Sequence, residues 1–156
     1  MAWFEDFTVG QKSGFGRYVV DREEVLDFAR KYDPQPFHLS DAAAASTHFG
    51  RLAASGWHST AMTMAMVVAN MGEDGDVGGS LGAAGIDELR WLRPVHPGDV
   101  LRCETEVIDV IPSRSRPDRG VVRTRMTVFN QDDVPVMTFI PIALFQRRPA
   151  TDRTAK

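Results

Sequence analysis

An aspartate and a histidine stand five residues apart in a segment that two prolines stiffen, Asp33-Pro-Gln-Pro-Phe-His38. Each proline fixes a backbone angle and removes an amide donor, so the segment should be extended and should hold the two side chains at a constant separation. A carboxylate in a partly dry pocket has a raised proton affinity, and a nearby histidine can share its proton. We interpret Asp33 and His38 as a candidate acid/base pair.

A second candidate feature is the start of a long apolar segment at Ser55, Gly56 and Trp57. Amides in the first turn of a helix have no partner within the helix, and the helix dipole favours negative charge there. Gly56 is therefore the candidate donor to an oxyanion, with Ser55 and Trp57 beside it as candidate substrate contacts. Ser55 is more simply interpreted as the helix N-cap.

Each of these residues also has a purely structural interpretation. Taken alone, Asp33 would be a turn residue before a proline, and His38 would be a half-buried histidine with satisfied hydrogen bonds. Gly56 would be a glycine that allows close packing at a helix start. The combination of a stiff acid/base segment with a helix start favours the catalytic interpretation.

The other histidines give weaker signals. His58, in the first turn of the predicted helix, is interpreted as structural or pocket-lining, and His48 and His96 as loop residues. His38, His48 and His58 could converge with Asp41, but the short spacing of a metal-binding motif is absent. We predict no metal site.

Composition and charge exclude several other classes of protein. The chain has 156 residues, 43% of them hydrophobic, and a net charge of −3, which fits one soluble domain without a basic surface for nucleic acid or anionic membrane. Its one cysteine, Cys103, excludes an intrachain disulfide and is predicted to be a buried, inert thiol. No targeting or membrane-spanning segment is recognised, so we expect a cytoplasmic protein.

Periodicity predicts one strand, then helices, then four strands. Asp21 and Glu24 are expected to form a capping box at the first helix, which ends at Asp33 because this residue precedes a proline. Ser40 caps a short second helix, and Gly72 lies just past the third. The predicted strands are residues 11–20, 81–92, 100–111, 121–129 and 134–145, and the third helix is residues 57–70.

Residues 1–149 are expected to form a single domain. Residues 73–79 are predicted to be a flexible connection, and the polar tail is predicted to be disordered from Arg147 onward, with residues 150–156 outside the domain.

The third helix is apolar on every face, so it should be surrounded by protein. With the strand pattern, this predicts an α+β fold in which one curved antiparallel β-sheet wraps around one central α-helix. The edges of such a sheet need cover, which predicts a homodimer or a dimer of dimers.

The segment with the acid/base pair resembles the motif of the MaoC-like dehydratases, hot-dog-fold enzymes that include (R)-specific enoyl-CoA hydratases. In that motif an Asp is followed by any residue, Asn, Pro, an aliphatic residue and His. Asp33, Pro36 and His38 match it, whereas Gln35 replaces the Asn and Phe37 replaces the aliphatic residue.

Two further features carry the same resemblance. Residues 52–57 are similar to the family's run before its central helix, and the order of elements agrees over about residues 8–146. A loop of a kind seen in the family carries Arg114, Arg116 and Arg119. These arginines are either a solvated loop or contacts for coenzyme A phosphates, which the planar fork of arginine suits.

The resemblance implies a hot-dog fold and a role for each candidate residue. Asp33 and His38 would activate one water for addition across the double bond of a 2-enoyl thioester, and the Gly56 amide would hold the thioester oxygen. Some members carry a serine further along the helix that helps to position the pair. This chain has Met64 there, with Thr63 beside it.

The implied function is interconversion of a 2-enoyl-CoA and a 3-hydroxyacyl-CoA, as in fatty acid metabolism, with coenzyme A entering only as part of the substrate and no other cofactor. Two alternatives stay open. One is a hot-dog acyl-CoA thioesterase, whose usual carboxylate lies on the central helix, where residues 57–70 contain neither Asp nor Glu. The other is a non-catalytic module that binds acyl-CoA or another subunit.

Overall fold

The computed structural model describes residues 2–72 and 78–149, and every predicted helix and strand is found within them. Two single-turn 3-10 helices, Phe4–Asp6 and Pro36–His38, are also present. The helices are α1 (Arg22–Tyr32), α2 (Asp41–Ala45) and α3 (Gly56–Met71), and the strands are β1 (Lys12–Val19), β2 (Ser80–Trp91), β3 (Val100–Pro112), β4 (Arg119–Phe129) and β5 (Pro135–Gln146).

Side-chain caps start α1 and α2 where the sequence predicts them. The Asp21 carboxylate accepts from the Glu24 amide at 3.0 Å, and the Ser40 hydroxyl accepts from the Ala43 amide at 3.3 Å. The second hydrogen bond of the predicted capping box, from the Asp21 amide to the Glu24 carboxylate, is wrong. The Glu24 carboxylate instead accepts from the Tyr18 hydroxyl at 2.5 Å.

The five strands form one antiparallel sheet in the order β1-β3-β4-β5-β2. The core lies where α3 packs on this sheet, with Met62 and Met66 of the helix against Leu101, Met137 and other buried residues. Gly16 of β1 has a φ of +87°, and a Cβ there would lie 2.7 Å from the Met66 sulfur. Only glycine therefore allows this strand to approach α3 so closely.

Cys103 of β3 lies in the same core and is 1% exposed. Burial raises the pKa of its thiol to about 11. The predicted burial of this thiol is confirmed.

The central helix is not enclosed on all sides within one chain, contrary to the prediction. Trp57, Met64 and Val68 lie on one face of α3 and are each about half exposed. The residues that α3 buries are Met62, Met66 and the polar His58, Ser59 and Thr63. An apolar sequence therefore did not specify which face packs inside the chain.

The polar residues after β5 are ordered as far as the structure describes them. The Arg147 amide donates to the Asp118 carbonyl at 2.8 Å, and Arg148 pairs with Asp6 at 2.6 Å. The predicted disorder is therefore wrong for these two residues. Most of the predicted flexible connection, residues 73–77, and the predicted tail, residues 150–156, lie outside the described residues. None of the described helices has the length and apolar character needed to cross a membrane.

Candidate active site

A buried backbone segment, residues 52–55, leads into α3 and organises the site around it. The Ala53 carbonyl accepts a hydrogen bond from His38 Nδ1 at 2.7 Å. The Ser55 hydroxyl donates to Asp33 Oδ2 at 2.7 Å, and the Ala54 amide donates to the Val95 carbonyl at 2.8 Å. The small side chains of residues 53–55 allow three other parts of the chain to approach this segment.

Asp33 Oδ2 and His38 Nε2 lie 3.4 Å apart. The predicted fully extended segment is wrong, because five extended residues would separate the two Cα atoms by about 17 Å. Gln35 is extended, but the turn Pro36–His38 then brings the histidine back toward the aspartate. Both side chains are largely buried, with exposures of 17% for Asp33 and 6% for His38.

Three neighbours stabilise the Asp33 carboxylate in its charged form. Burial raises the pKa of this group, but hydrogen bonds from the Gln35 amide and the Ser55 hydroxyl, together with the charge of His38, outweigh burial and hold the pKa below its ordinary value. Gln35 donates at 2.7 Å, as does Ser55. The predicted raised proton affinity is therefore wrong, and Asp33 is ionised at neutral pH.

The hydrogen bond from His38 to the backbone fixes its tautomer. A carbonyl oxygen only accepts, so the Nδ1 atom that contacts the Ala53 carbonyl carries the proton. In the neutral ring Nε2 is then unprotonated and faces Asp33. This arrangement leaves one nitrogen able to take a proton from a bound molecule.

The first turn of α3 has open amides. Ser55 occupies the N-cap position, yet its hydroxyl makes no capping bond and donates to Asp33 instead. Among the described residues no acceptor contacts the Gly56 or Trp57 amide. The helix start therefore has free donors beside the acid/base pair.

Trp91, the last residue of β2, packs directly over Gly56. A Cβ at Gly56 would lie 2.5 Å from atoms of the Trp91 indole, so a side chain there would displace this ring. The Trp57 and Trp91 rings meet edge to face with centroids 5.2 Å apart. Glycine is therefore required for the contact between the helix start and the indole.

These groups line one pocket of about 470 Å³, which we call the dyad pocket. It has an aromatic wall and several polar groups. The aromatic residues are Phe37, Phe49, Trp57 and Trp91, and the polar residues are Asp33, Gln35, His38, His48, Ser59 and Arg93.

The structure does not bring the predicted loop arginines to this pocket within one chain. Arg119 lies opposite Gln146 of β5, whereas Trp91 of the pocket lies opposite Met137. These positions are about 30 Å apart along β5 at the usual rise of a strand. Arg114 and Arg116 precede Arg119 in the β3–β4 loop, and Arg119 itself pairs with Asp118 at 2.9 Å.

Some functional candidates were missed by sequence reasoning. The serine that contacts Asp33 comes from the start of α3, whereas Met64 is half exposed and the buried Thr63 donates to the Ser59 carbonyl. Gln35 stood within the recognised motif, so its contact with Asp33 could have been anticipated. Pocket residues that were missed or not singled out as site residues are His48, Phe49, Ser59, Trp91 and Arg93.

His58 lies in a different cleft, which we call the α1–α3 cleft. It has a volume of about 540 Å³ and is also lined by Tyr18, Glu24 and Phe28. The His58 ring stacks on Phe28 with centroids 4.6 Å apart, and its Nδ1 atom is buried without a hydrogen-bond partner. Burial lowers the pKa of His58, so the ring stays neutral.

In the part of the chain that the structure describes, no group of three or more His, Cys, Asp or Glu residues could hold a metal ion.

Known proteins resemble this chain in sequence and structure. The family model of the MaoC like domain matches residues 6–130. A MaoC-like dehydratase from Rhodospirillum rubrum superposes with a TM-score of 0.85 at 39% identity, over 96% of this chain and 99% of that protein.

Two further relatives have names that specify a reaction. An (R)-hydratase from Pseudomonas aeruginosa superposes with a TM-score of 0.68 at 30% identity, over 94% of this chain and 86% of that protein. The 3-hydroxybutyryl-CoA dehydratase of Methylorubrum extorquens is 30% identical over 115 residues, which cover 73% of this chain and 69% of that protein. The predicted hot-dog fold is confirmed, and the chain belongs to the MaoC-like dehydratase family.

Proposed function

We propose that this protein interconverts a 2-enoyl-CoA and a 3-hydroxyacyl-CoA by adding or removing water. The supporting observation is the 3.4 Å approach of Asp33 Oδ2 to His38 Nε2 in the same pocket as Gly56, whose amide is open. The names of the dehydratase and hydratase relatives agree with this reaction type.

In the hydration direction, His38 and Asp33 bind one water. Its oxygen attacks the β-carbon while His38 Nε2 takes one of its protons and the ionised Asp33 accepts a hydrogen bond from the other. The electrons of the double bond move toward the thioester, whose oxygen becomes an oxyanion held by the Gly56 amide. His38 then returns the proton to the α-carbon, so the product has gained one water.

Coenzyme A takes part only as the carrier of the acyl group in this proposal, and no other cofactor is required. Proton transfer and oxyanion stabilisation both come from groups of the chain. Dehydration follows the same steps in reverse, with the His38–Asp33 pair protonating the leaving hydroxide.

The test is an absorbance assay with purified protein and crotonyl-CoA, which loses its enoyl absorbance on hydration. We expect turnover by the wild type and loss of about 100-fold or more in kcat for Asp33→Asn, because the water loses its charged acceptor. Glu24→Gln, which neutralises a carboxylate of the other cleft, is the matched control. Full activity of Asp33→Asn would contradict the proposed roles, and release of free thiol in the same assay would identify a thioesterase.

We also propose that the protein is a homodimer. The half-exposed face of α3 begins at Trp57, whose ring meets Trp91 of the edge strand β2, and Ile86 and Trp91 of that strand are each about 45% exposed. A second copy would cover both surfaces, and an exposed edge strand otherwise invites aggregation. Light scattering on a sizing column gives the mass: we expect twice the chain mass for the wild type and a shift toward one chain for Met64→Glu.

A further inference from the structure

We propose that Arg93 binds an anionic group of the substrate, and that this group is a carboxylate on the acyl chain rather than a phosphate of coenzyme A. This deepens the hydratase function proposed above and rests on it. The substrate class is then an enoyl thioester with a second, free carboxylate at the far end of its acyl group.

The backbone on both sides of Arg93 is fixed. The Leu92 and Arg93 amides both donate to the Val136 carbonyl, at 2.8 and 3.3 Å, and the Val95 carbonyl accepts from the Ala54 amide at 2.8 Å. The segment after β2 is thereby attached both to β5 and to the residues that lead into α3. Arg93 is held at the dyad pocket and lines it together with Asp33 and Gly56.

The Arg93 side chain is exposed, and among the described residues it has no hydrogen-bond or ion-pair partner. Arg93 is also one of the residues that line the dyad pocket. Two arginines on the sheet differ in this respect, because Arg102 pairs with Glu104 and Asp133 and Arg123 pairs with Asp87 and Asp109. Of the residues that line the dyad pocket, Arg93 alone is an arginine or lysine. Its five donors are available to a bound molecule.

Arg93 is not the counter-ion of the catalytic carboxylate. Asp33 accepts from the Ser55 hydroxyl and the Gln35 amide and faces His38, so its oxygens already have partners. A substrate carboxylate in this pocket would be repelled by the Asp33 charge. A guanidinium whose N–H donors are unpaired would offset that repulsion and would bind the carboxylate through two parallel hydrogen bonds.

The size of the pocket favours a carboxylate on the acyl chain over a phosphate. A volume of about 470 Å³ suits the acyl part of the substrate and not the whole CoA thioester. The long pantetheine arm separates the thioester from the phosphates of coenzyme A. If the thioester oxygen contacts Gly56, a group that reaches Arg93 within the same pocket belongs to the acyl chain.

The experiment compares 2-pentenoyl-CoA with glutaconyl-CoA, which carries a carboxylate in place of the terminal methyl group. Both acyl groups are also tested as N-acetylcysteamine thioesters, which have no phosphate. For Arg93→Gln we expect kcat/KM to fall about 10-fold or more with both glutaconyl thioesters and to stay unchanged with both pentenoyl thioesters. For Arg93→Lys the fall in kcat/KM with the glutaconyl thioesters should be smaller, because lysine keeps the positive charge but cannot form two parallel hydrogen bonds.

Arg17→Gln is the matched control, because it removes the same charge from an exposed position on β1, away from the dyad pocket. An equal loss with both CoA thioesters and with neither N-acetylcysteamine thioester would mean that Arg93 binds a phosphate and would overturn the proposal. Unchanged kinetics with all four compounds would overturn it as well.

Calorimetry separates failure of this proposal from failure of the hydratase function. The affinities of glutaconyl-CoA and 2-pentenoyl-CoA are measured for the wild type and for Arg93→Gln. If no compound turns over, the hydratase function fails, while a preference for glutaconyl-CoA that Arg93→Gln abolishes would still support the anion site. Equal affinities of the wild type for both ligands would overturn the proposed anion site.

Discussion

Two clefts lie against the first turns of α3, and each contains a histidine and a carboxylate. The dyad pocket holds His38 and Asp33, and the α1–α3 cleft holds His58 and Glu24. The α1–α3 cleft is the larger, at about 540 Å³ against about 470 Å³. Size and residue types therefore do not distinguish the proposed active site from the other cleft.

The hydrogen bonds of the two histidines do separate them. His38 Nδ1 donates to a backbone carbonyl at 2.7 Å, which leaves Nε2 facing Asp33 at 3.4 Å. His58 Nδ1 has no partner and its ring stacks on Phe28, while the Glu24 carboxylate already accepts from the Tyr18 hydroxyl. The proposed acid/base pair is therefore the one in which a backbone bond orients one ring nitrogen and the other nitrogen faces the carboxylate.

The largest expected effect comes from changing the two histidines in the same way. His38→Gln should lower kcat for crotonyl-CoA by about 100-fold to 10,000-fold, because the base for the water is lost. His58→Gln should change kcat by less than about 3-fold, because its ring does not line the dyad pocket. Similar losses in both variants, with both proteins folded by circular dichroism, would contradict the distinction between the clefts.

Gly56→Ala should have the next largest effect on kcat, a loss on the order of 100-fold. The added methyl group collides with the Trp91 indole and disturbs the amides at the start of α3. Gly14→Ala is the control, because the nearest atom to its Cβ is 3.8 Å away, an ordinary contact. Steady-state kinetics of the two variants measure this difference, and a fully active Gly56→Ala protein would contradict the requirement for glycine at the start of α3.

Ser55→Ala should lower kcat by about 10-fold, because Asp33 loses a donor that positions it. The loss of that donor also raises the pKa of Asp33. The acid side of the pH profile of kcat/KM should therefore move to higher pH. Thr63→Val is the control, since it removes a buried hydroxyl of α3 whose hydrogen bond is to the Ser59 carbonyl. A pH profile that is the same in Ser55→Ala and wild type would contradict this positioning role.

The smallest expected effect is on stability and belongs to the α1–α3 cleft. Burial lowers the pKa of His58 below its ordinary value of 6.5, although the charge of Glu24 opposes this. Below pH 6.5 the unfolded chain therefore binds a proton that the folded chain does not, and the free energy of unfolding falls as the pH decreases. His58→Leu should remove this dependence and add about 1 kcal/mol at pH 7 by eliminating an unpaired buried nitrogen.

Urea unfolding between pH 5 and pH 7.5 measures both parts of that prediction. His96→Leu is the comparison variant, because the His96 Nδ1 atom already contacts the Leu52 carbonyl at 2.8 Å. This second variant should be less stable than the wild type. A pH dependence that persists in full in His58→Leu would show that another group causes it.

The helices and strands could be predicted because their signals are local. The caps Asp21 and Ser40, the proline after Asp33, and the alternation in the last four strands each depend on neighbours within a few residues. The proximity of Asp33 and His38 was also accessible, since a short segment limits their separation. The turn Pro36–His38 that closes this distance was predicted incorrectly as extended chain.

Contacts between distant residues could not be predicted in the same way. Ser55 is 22 residues from Asp33, and its hydroxyl had two possible partners, the helix amides and that carboxylate. Its bond to the carboxylate acts with Gln35 and His38 to lower the Asp33 pKa, and it leaves the amides of α3 open. Arg93 reaches the dyad pocket only because β2 ends beside α3, and the loop arginines lie at the opposite end of the same sheet.

The sequence by itself determined the order of the elements, the apolar helix, and the two candidate acid/base side chains, because periodicity, capping and short spacing are properties of nearby residues. Only the tertiary structure decided which face of α3 is buried, which donor stabilises Asp33, and which arginine lies in the pocket. The physical reason is that burial and long-range hydrogen bonds depend on segments that meet only when the sheet closes on the helix.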